Sequence, residues 1–224
     1  MRIIQTGNPK LWLLVGAVAG IGMLNKWTML FFCAGIFLGL AFTRNRRLFA
    51  DKWLWLGLLI GVLIWLPNIA WNVQHHWPFF ELMRNVRASG RDVHLGLLPF
   101  IADQALAMNI LTAPLWIAAI WWYFFGHSAD SGGGRGRYRV LGWTYLWLLI
   151  FFVLANGKSY YLWPAYPMLF AAGGRAVEGW ARHSMRSLGP AYAAVLLVGG
   201  ALFAPFGLPV LSPEGFCNIR KLYT

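Results

Sequence analysis

The run from Leu11 to Thr43, LWLLVGAVAGIGMLNKWTMLFFCAGIFLGLAFT, contains one charged side chain, Lys26, and that lysine decides how the segment folds. As a single helix it would be about 48 Å long, well beyond a hydrocarbon core of about 30 Å. An ammonium near the middle of such a helix would also lie in lipid, at a cost of roughly 3 kcal/mol. Two helices, 11–24 and 27–43, that meet at Asn25, Lys26 and Trp27 remove both problems, because the ammonium then lies at an interface or in a cavity.

Five further apolar segments, 53–71, 98–125, 140–155, 160–177 and 190–208, are bounded by charge, Pro and Gly. The expected fold class is therefore all-α, a polytopic transmembrane bundle of about seven membrane helices. With 59% hydrophobic and 12% charged residues in 224, the chain has more apolar surface than a soluble domain of this length hides. The pairs Gly16/Gly20, Gly35/Gly39 and Gly57/Gly61 have the small-xxx-small spacing that lets helices approach closely. The two cysteines, Cys33 and Cys217, provide neither a disulfide framework nor a metal-thiolate pattern. The start, MRIIQTGNPK, lacks the apolar core of a signal peptide and reads as the tail of a preceding loop.

A net charge of +12 raises nucleic acid as a partner, but Lys and Arg fall in short clusters between apolar runs, as in cytoplasmic loops of membrane proteins. The expected surrounding is a lipid bilayer, with no nucleic acid. With the N-terminus inside, the inner side carries Arg2, Lys10, Arg44, Arg46, Arg47, Lys52, Arg135, Arg137, Arg139, Arg175, Arg182 and Arg186, which is 12 of the 19 basic residues. The positive-inside rule accepts this topology and rejects its inverse. The inner loop 126–139, rich in Gly and Ser, reads as a flexible linker.

Cations on the outer side are then the exceptions that need a reason. Lys26, Arg84, Arg87, Arg91 and Lys158 lie there, and a polyanionic ligand such as a lipid-linked phosphate is the simplest explanation; contact with anionic headgroups is the bland one. The longest outer loop, 72–97, includes a short helix over 79–88 whose apolar face, Phe79, Leu82, Met83 and Val86, suits the membrane boundary. Glu81, Arg84 and Arg87 project from another side. His75 and His76 are adjacent, which is not metal-ligand spacing on a helix, and His94 joins them only by folding. Asp103, with Gln104 and Asn109, lies in the outer half of 98–125, where a carboxylate is a functional candidate or a solvated helix end. Asn68 and Asn72 are one turn apart and either line a cavity or mark the end of the helix. In NGKSYYLWPAYP, residues 156–167, Lys158, Tyr160 and Tyr161 face the outer side between two apolar runs.

The segments GAVAGIGMLNKWTMLFF, WLPNIAWNVQHHWPF, MNILTAPLW and GKSYYLWPAYPMLFAAGG resemble the polytopic glycosyltransferases of the GT-C fold, of the glycosyltransferase family 39 and 83 type, which includes protein mannosyltransferases and lipid A aminoarabinose transferases. The resemblance runs from Leu11 to near Gly179. It implies transfer of a sugar from a polyprenyl-phosphate carrier to an extracytoplasmic acceptor, a lipid, glycan or protein, at the bacterial inner membrane. It also implies that outer lysines and arginines hold the carrier phosphate. Lys26 matches the lysine after the family's Gly-rich short helix, and Lys158 with Tyr160 and Tyr161 matches its Lys-Tyr-Tyr string, while Glu81 and Arg84 match a charged outer segment more loosely. Lys26, Lys158, Arg84 and Arg87 are thus the expected donor-phosphate ligands. Tyr160, Tyr161, Glu81, Asn72 and Asp103 are the expected lining of the substrate cavity.

The family's catalytic carboxylate lies in an acidic first outer loop, and a divalent metal is possible in the complete enzyme. Nothing in this chain replaces that loop, so the resemblance implies a middle portion whose base lies upstream of Met1. The rival reading is a non-enzymatic multipass protein that binds or moves a lipid-linked anion, which needs the same cations but no base.

Overall fold

The computed structural model describes residues 2–90, 95–126, 138–183 and 187–207, and these are helical with no strand among them. In chain order the α-helices are α1 (Arg2–Thr6), α2 (Leu11–Asn25), α3 (Thr28–Ala41), α4 (Lys52–Gln74), α5 (Pro78–Ala88), α6 (Leu97–Ala107), α7 (Ala113–Phe125), α8 (Arg139–Leu154), α9 (Tyr166–His183) and α10 (Leu188–Gly207). All seven apolar segments are helical, and the first break falls at Lys26 as expected. Among the described residues, α4 is the one helix that is by itself long and apolar enough to cross a membrane. Two pairs, α3 with Arg44–Ala50 and α6 with Ile110–Phe125, reach that length and hydropathy only together and are bent by 110° and 104°, as a broken span or a re-entrant loop is, and α2, α8 and Gly189–Ala204 are shorter apolar helices. Leu98 and Leu154 are more than three-quarters exposed, an arrangement stable against lipid rather than water.

The segment 98–125, drawn as one helix from its hydropathy, is in fact two. Asn109 takes a φ of 67°, a left-handed conformation that asparagine tolerates better than most residues. Its side chain accepts from the Leu111 N–H at 3.1 Å, and the Thr112 hydroxyl donates to the Met108 carbonyl at 2.9 Å. Pro114 follows within the first turn of α7, where its missing N–H costs nothing. The segment 160–177 differs in a similar way. Residues Ser159–Ala165 form a 3-10 turn, and regular helix begins only at Tyr166, because Pro164 and Pro167 each remove a backbone donor. The linker expected at 126–139 lies outside the described residues except for its ends, as do Arg91, His94 and Cys217.

Two packed groups hold the bundle. Trp12, Leu40, Leu54 and Val140 join α2, α3, α4 and α8. Phe100, Trp116, Tyr145, Phe152, Leu162, Tyr166 and Leu169 join α6, α7, α8, α9 and the 3-10 turn. All six glycines of the small-xxx-small pairs sit at helix contacts. A Cβ on Gly20 would lie 2.7 Å from the Gly61 carbonyl oxygen, and one on Gly16 or Gly57 would strike the opposing backbone outright. Gly35 and Gly39 receive Leu148, Thr144 and Val140 of α8. The glycines thus set the distance between α2 and α4, and between α3 and α8.

Gly57→Leu is expected to force α2 from α4 and to destabilise the fold by about 1–3 kcal/mol, the usual range for overpacking. A thermal midpoint in detergent reads this, with Gly174→Ala, which meets nothing within 4 Å, expected to be neutral.

Candidate functional site

The C-terminal ends of α2 and α8, the N-terminal end of α3 and one face of α5 enclose an open cavity of about 730 Å³. It begins at the break in the first apolar run. Lys26 has an extended backbone, φ −151° and ψ 129°, and its N–H closes α2 by donating to the Gly22 carbonyl at 2.9 Å. That geometry ends the helix without a Gly and turns the exposed lysine side chain toward the 3-10 turn. Its Nζ lies 5.0 Å from the Tyr160 ring centroid and 5.8 Å from that of Tyr161, within reach of a cation–π attraction.

Lys158 approaches the same ring. Asn156 has a φ of 52°, and the Gly157 N–H donates to the Phe152 carbonyl at 2.8 Å, so the chain leaves α8 in a tight reversal. Lys158 caps the turn in extended conformation, with its Nζ 6.0 Å from the Tyr160 centroid. Two ammonium groups therefore share one aromatic ring. Among the described residues, Lys26, Lys158 and Arg84 have no carboxylate within ion-pairing distance; the ion pair there is Arg175 with Glu178. The Tyr160 and Tyr161 rings meet edge to face at 4.8 Å. Burial, with the contact to Tyr160 adding to it, pushes the Tyr161 phenol up, so its hydroxyl remains a donor at neutral pH.

Trp27 fixes the remaining wall. Its ring stacks on Phe79 at 5.0 Å and meets Trp65 at 5.4 Å and Trp77 at 6.2 Å edge to face. Phe79 and Met83 consequently line the cavity with Phe80, rather than facing only the membrane boundary as their spacing suggested, and Arg84 follows them into the lining. The turn that delivers α5 is strained: His76 and Trp77 have φ of 55° and 58°, a region few bulky residues adopt. Phe31, Phe151 and Phe152 complete the opposite wall.

Of the residues expected at the site, Lys26, Arg84 and Tyr161 line the cavity, and Lys158 and Tyr160 adjoin it through the shared ring. Arg87 lies one helical turn beyond Arg84 on α5. Glu81 is exposed on the first turn of α5 and is not in the lining. Nor is Asn72, which is buried and donates to the Asn68 carbonyl at 2.9 Å and the Asn68 Oδ1 at 3.2 Å, so its amide bonds within α4. Asp103 is half-buried in α6, also outside the lining. Among the described residues no three His, Cys, Asp or Glu side chains gather into a metal set. The aromatic walls gave no signal in the sequence, because a phenylalanine among apolar neighbours looks the same whether it faces lipid or a cavity.

Residues 1–71 match the sequence profile of the family described as dolichyl-phosphate-mannose-protein mannosyltransferase. The first third of the chain is similar to a membrane glycosyltransferase family. The stretch runs from α1 into the last turn of α4 and contains Lys26 and Trp27, while Arg84, Lys158, Tyr160 and Tyr161 lie beyond it. No curated protein and no solved structure matches the chain significantly.

Trp27→Ala removes the ring on which α5 rests, at about 0.5–1.5 kcal/mol per aromatic pair. Amide hydrogen exchange across 78–88 is expected to rise about tenfold or more in this variant and only slightly in Trp27→Phe; unchanged exchange would show that α5 is held elsewhere.

Proposed function

We propose that this chain forms part of a membrane glycosyltransferase and holds the phosphate of a polyprenyl-phosphate sugar donor at the extracytoplasmic face of a bacterial inner membrane. Convergence of Lys26 and Arg84 on one aromatic-walled cavity, with Lys158 beside Lys26 over the Tyr160 ring, is the observation that carries this reading. The similarity of residues 1–71 to the mannosyltransferase family supports it independently.

The chemistry asks for such a site. Cleavage between an anomeric carbon and a phosphate leaves negative charge on the phosphate, and preorganised donors stabilise that charge as it forms. Two ammonium groups without carboxylate partners have their hydrogen bonds to give to a ligand. Arg84, with Arg87 one turn on, adds a planar fork suited to phosphate oxygens. Tyr161 supplies a neutral hydroxyl donor, and Tyr160 orients both lysines. The aromatic walls suit the first isoprene units of the carrier, whose chain continues into the bilayer. The proton of the acceptor hydroxyl needs a base, and among the described residues no carboxylate lines the cavity. The sugar and the acceptor are set by groups other than these cations.

Lys26→Ala, Lys158→Ala and Arg84→Ala are each expected to weaken binding of a polyprenyl phosphate in detergent by about tenfold, the scale of a charge-assisted hydrogen bond; unchanged binding in all three would sink the proposal. Release of labelled sugar from the carrier by membranes containing the protein separates a transferase from a protein that only binds the lipid. For orientation, Arg84→Cys is expected to react with a membrane-impermeant thiol reagent from outside, and Arg46→Cys only after the membrane is opened.

A further inference from the structure

The amide of Gln104 belongs to no part of the site described above, yet it is fully buried in α6 and bonded to the segment that carries Lys158. Its Nε2 donates to the carbonyl oxygen of Ser159, 55 residues away in sequence and flanked by Lys158 and Tyr160. We propose that Gln104 is a positioning residue: by holding the Ser159 carbonyl it fixes the Lys158–Tyr161 turn so that two cations meet one phosphate, an inference that rests on the reading of the cavity given above.

Three observations carry it. The turn is a single short 3-10 stretch, whose hydrogen bonds are poorer than those of an α-helix; it follows a left-handed Asn156, holds Pro164 and opens with a Lys158 carbonyl to Tyr161 N–H bond of 3.0 Å. An anchor from a neighbouring helix is therefore needed to fix where Lys158 starts. Second, Lys26 and Lys158 bring like charges to one ring, that of Tyr160, and like charges repel, so a loosened turn would carry Lys158 away from Lys26. Third, the Oε1 of Gln104 is buried with no hydrogen-bond partner. A methionine or leucine of similar volume would remove that orphan but also the bond to the Ser159 carbonyl, so the packing of α6 by itself gives no reason for an amide at this position. Its N–H bond to the turn does.

The test is binding of a polyprenyl phosphate of defined chain length to the full chain in detergent, alongside its thermal midpoint, for wild type, Gln104→Met, Gln104→Glu and Lys158→Ala. Gln104→Met keeps the volume and removes the donor; its affinity is expected to fall about tenfold, the upper end of one hydrogen bond, with the midpoint shifted only slightly, because the bond to Ser159 and the orphaned Oε1 are lost together. Gln104→Glu donates only in its protonated form, so its affinity relative to wild type is expected to fall as pH rises, a profile that a purely structural role does not produce. Wild-type affinity in Gln104→Met, or a loss in both variants that follows the thermal midpoint and ignores pH, overturns the positioning role. Should Lys158→Ala bind as wild type, the turn holds no phosphate ligand and the inference about Gln104 falls, the phosphate reading failing with it only if Lys26→Ala and Arg84→Ala also bind as wild type; weakened binding in Lys158→Ala with no weakening in Gln104→Met removes only the inference about Gln104.

Discussion

A charged lysine in the middle of an apolar run has to leave the lipid, and the rest of the molecule is arranged around that requirement. Lys26 ends α2 in extended conformation, and α3 then runs along α8, Gly35 against Leu148 and Gly39 against Val140. The same break exposes Trp27, which draws α5 over the gap through Phe79 and Trp77. Cavity, aromatic wall and cation cluster are thus consequences of one helix ending where the bilayer does not accept a charge.

Close helix contact and an open cavity are complementary here. Gly16, Gly20, Gly57 and Gly61 bring α2 and α4 to backbone contact, and Gly35 and Gly39 seat α3 on α8. Those contacts lie within the bundle, away from the Lys26 break. Nearer the break, Phe31 of α3 packs on Phe151 at 4.9 Å and on Phe152 at 5.6 Å, and these bulky rings form one wall of the cavity. Without a strong hydrophobic drive between helices in lipid, packing of small residues decides which surfaces meet. What remains unfilled is available to an amphiphile with a charged head and an apolar chain.

The two cation-bearing turns are built differently, and the difference matters for how each is held. Lys26 sits between two helices that continue into the bundle, so its backbone is fixed on both sides. Lys158 caps a short 3-10 turn that depends on Asn156, on Pro164 and on the amide of Gln104. A cluster of like charges is a local instability, and a segment that carries one needs an anchor in the core.

The sequence by itself determined the all-helical class, the break at Lys26, the surface helix after α4 and the meeting of glycine faces, because each follows from local rules: charge excluded from lipid, helical periodicity and the absence of a Cβ. It also placed Lys26, Lys158 and Arg84 on one side, through loop charge alone. Tertiary structure decided which of the expected residues meet. Asn72 turned inward to Asn68, Glu81 and Asp103 stayed out of the cavity lining, and Gln104, one residue from Asp103, became the anchor of the Lys158 turn. Adjacent positions on a helix point about 100° apart, and only the packing of α6 against the turn shows which of them faces the site. The split of 98–125 was likewise hidden, because hydropathy does not register the backbone conformation of Asn109.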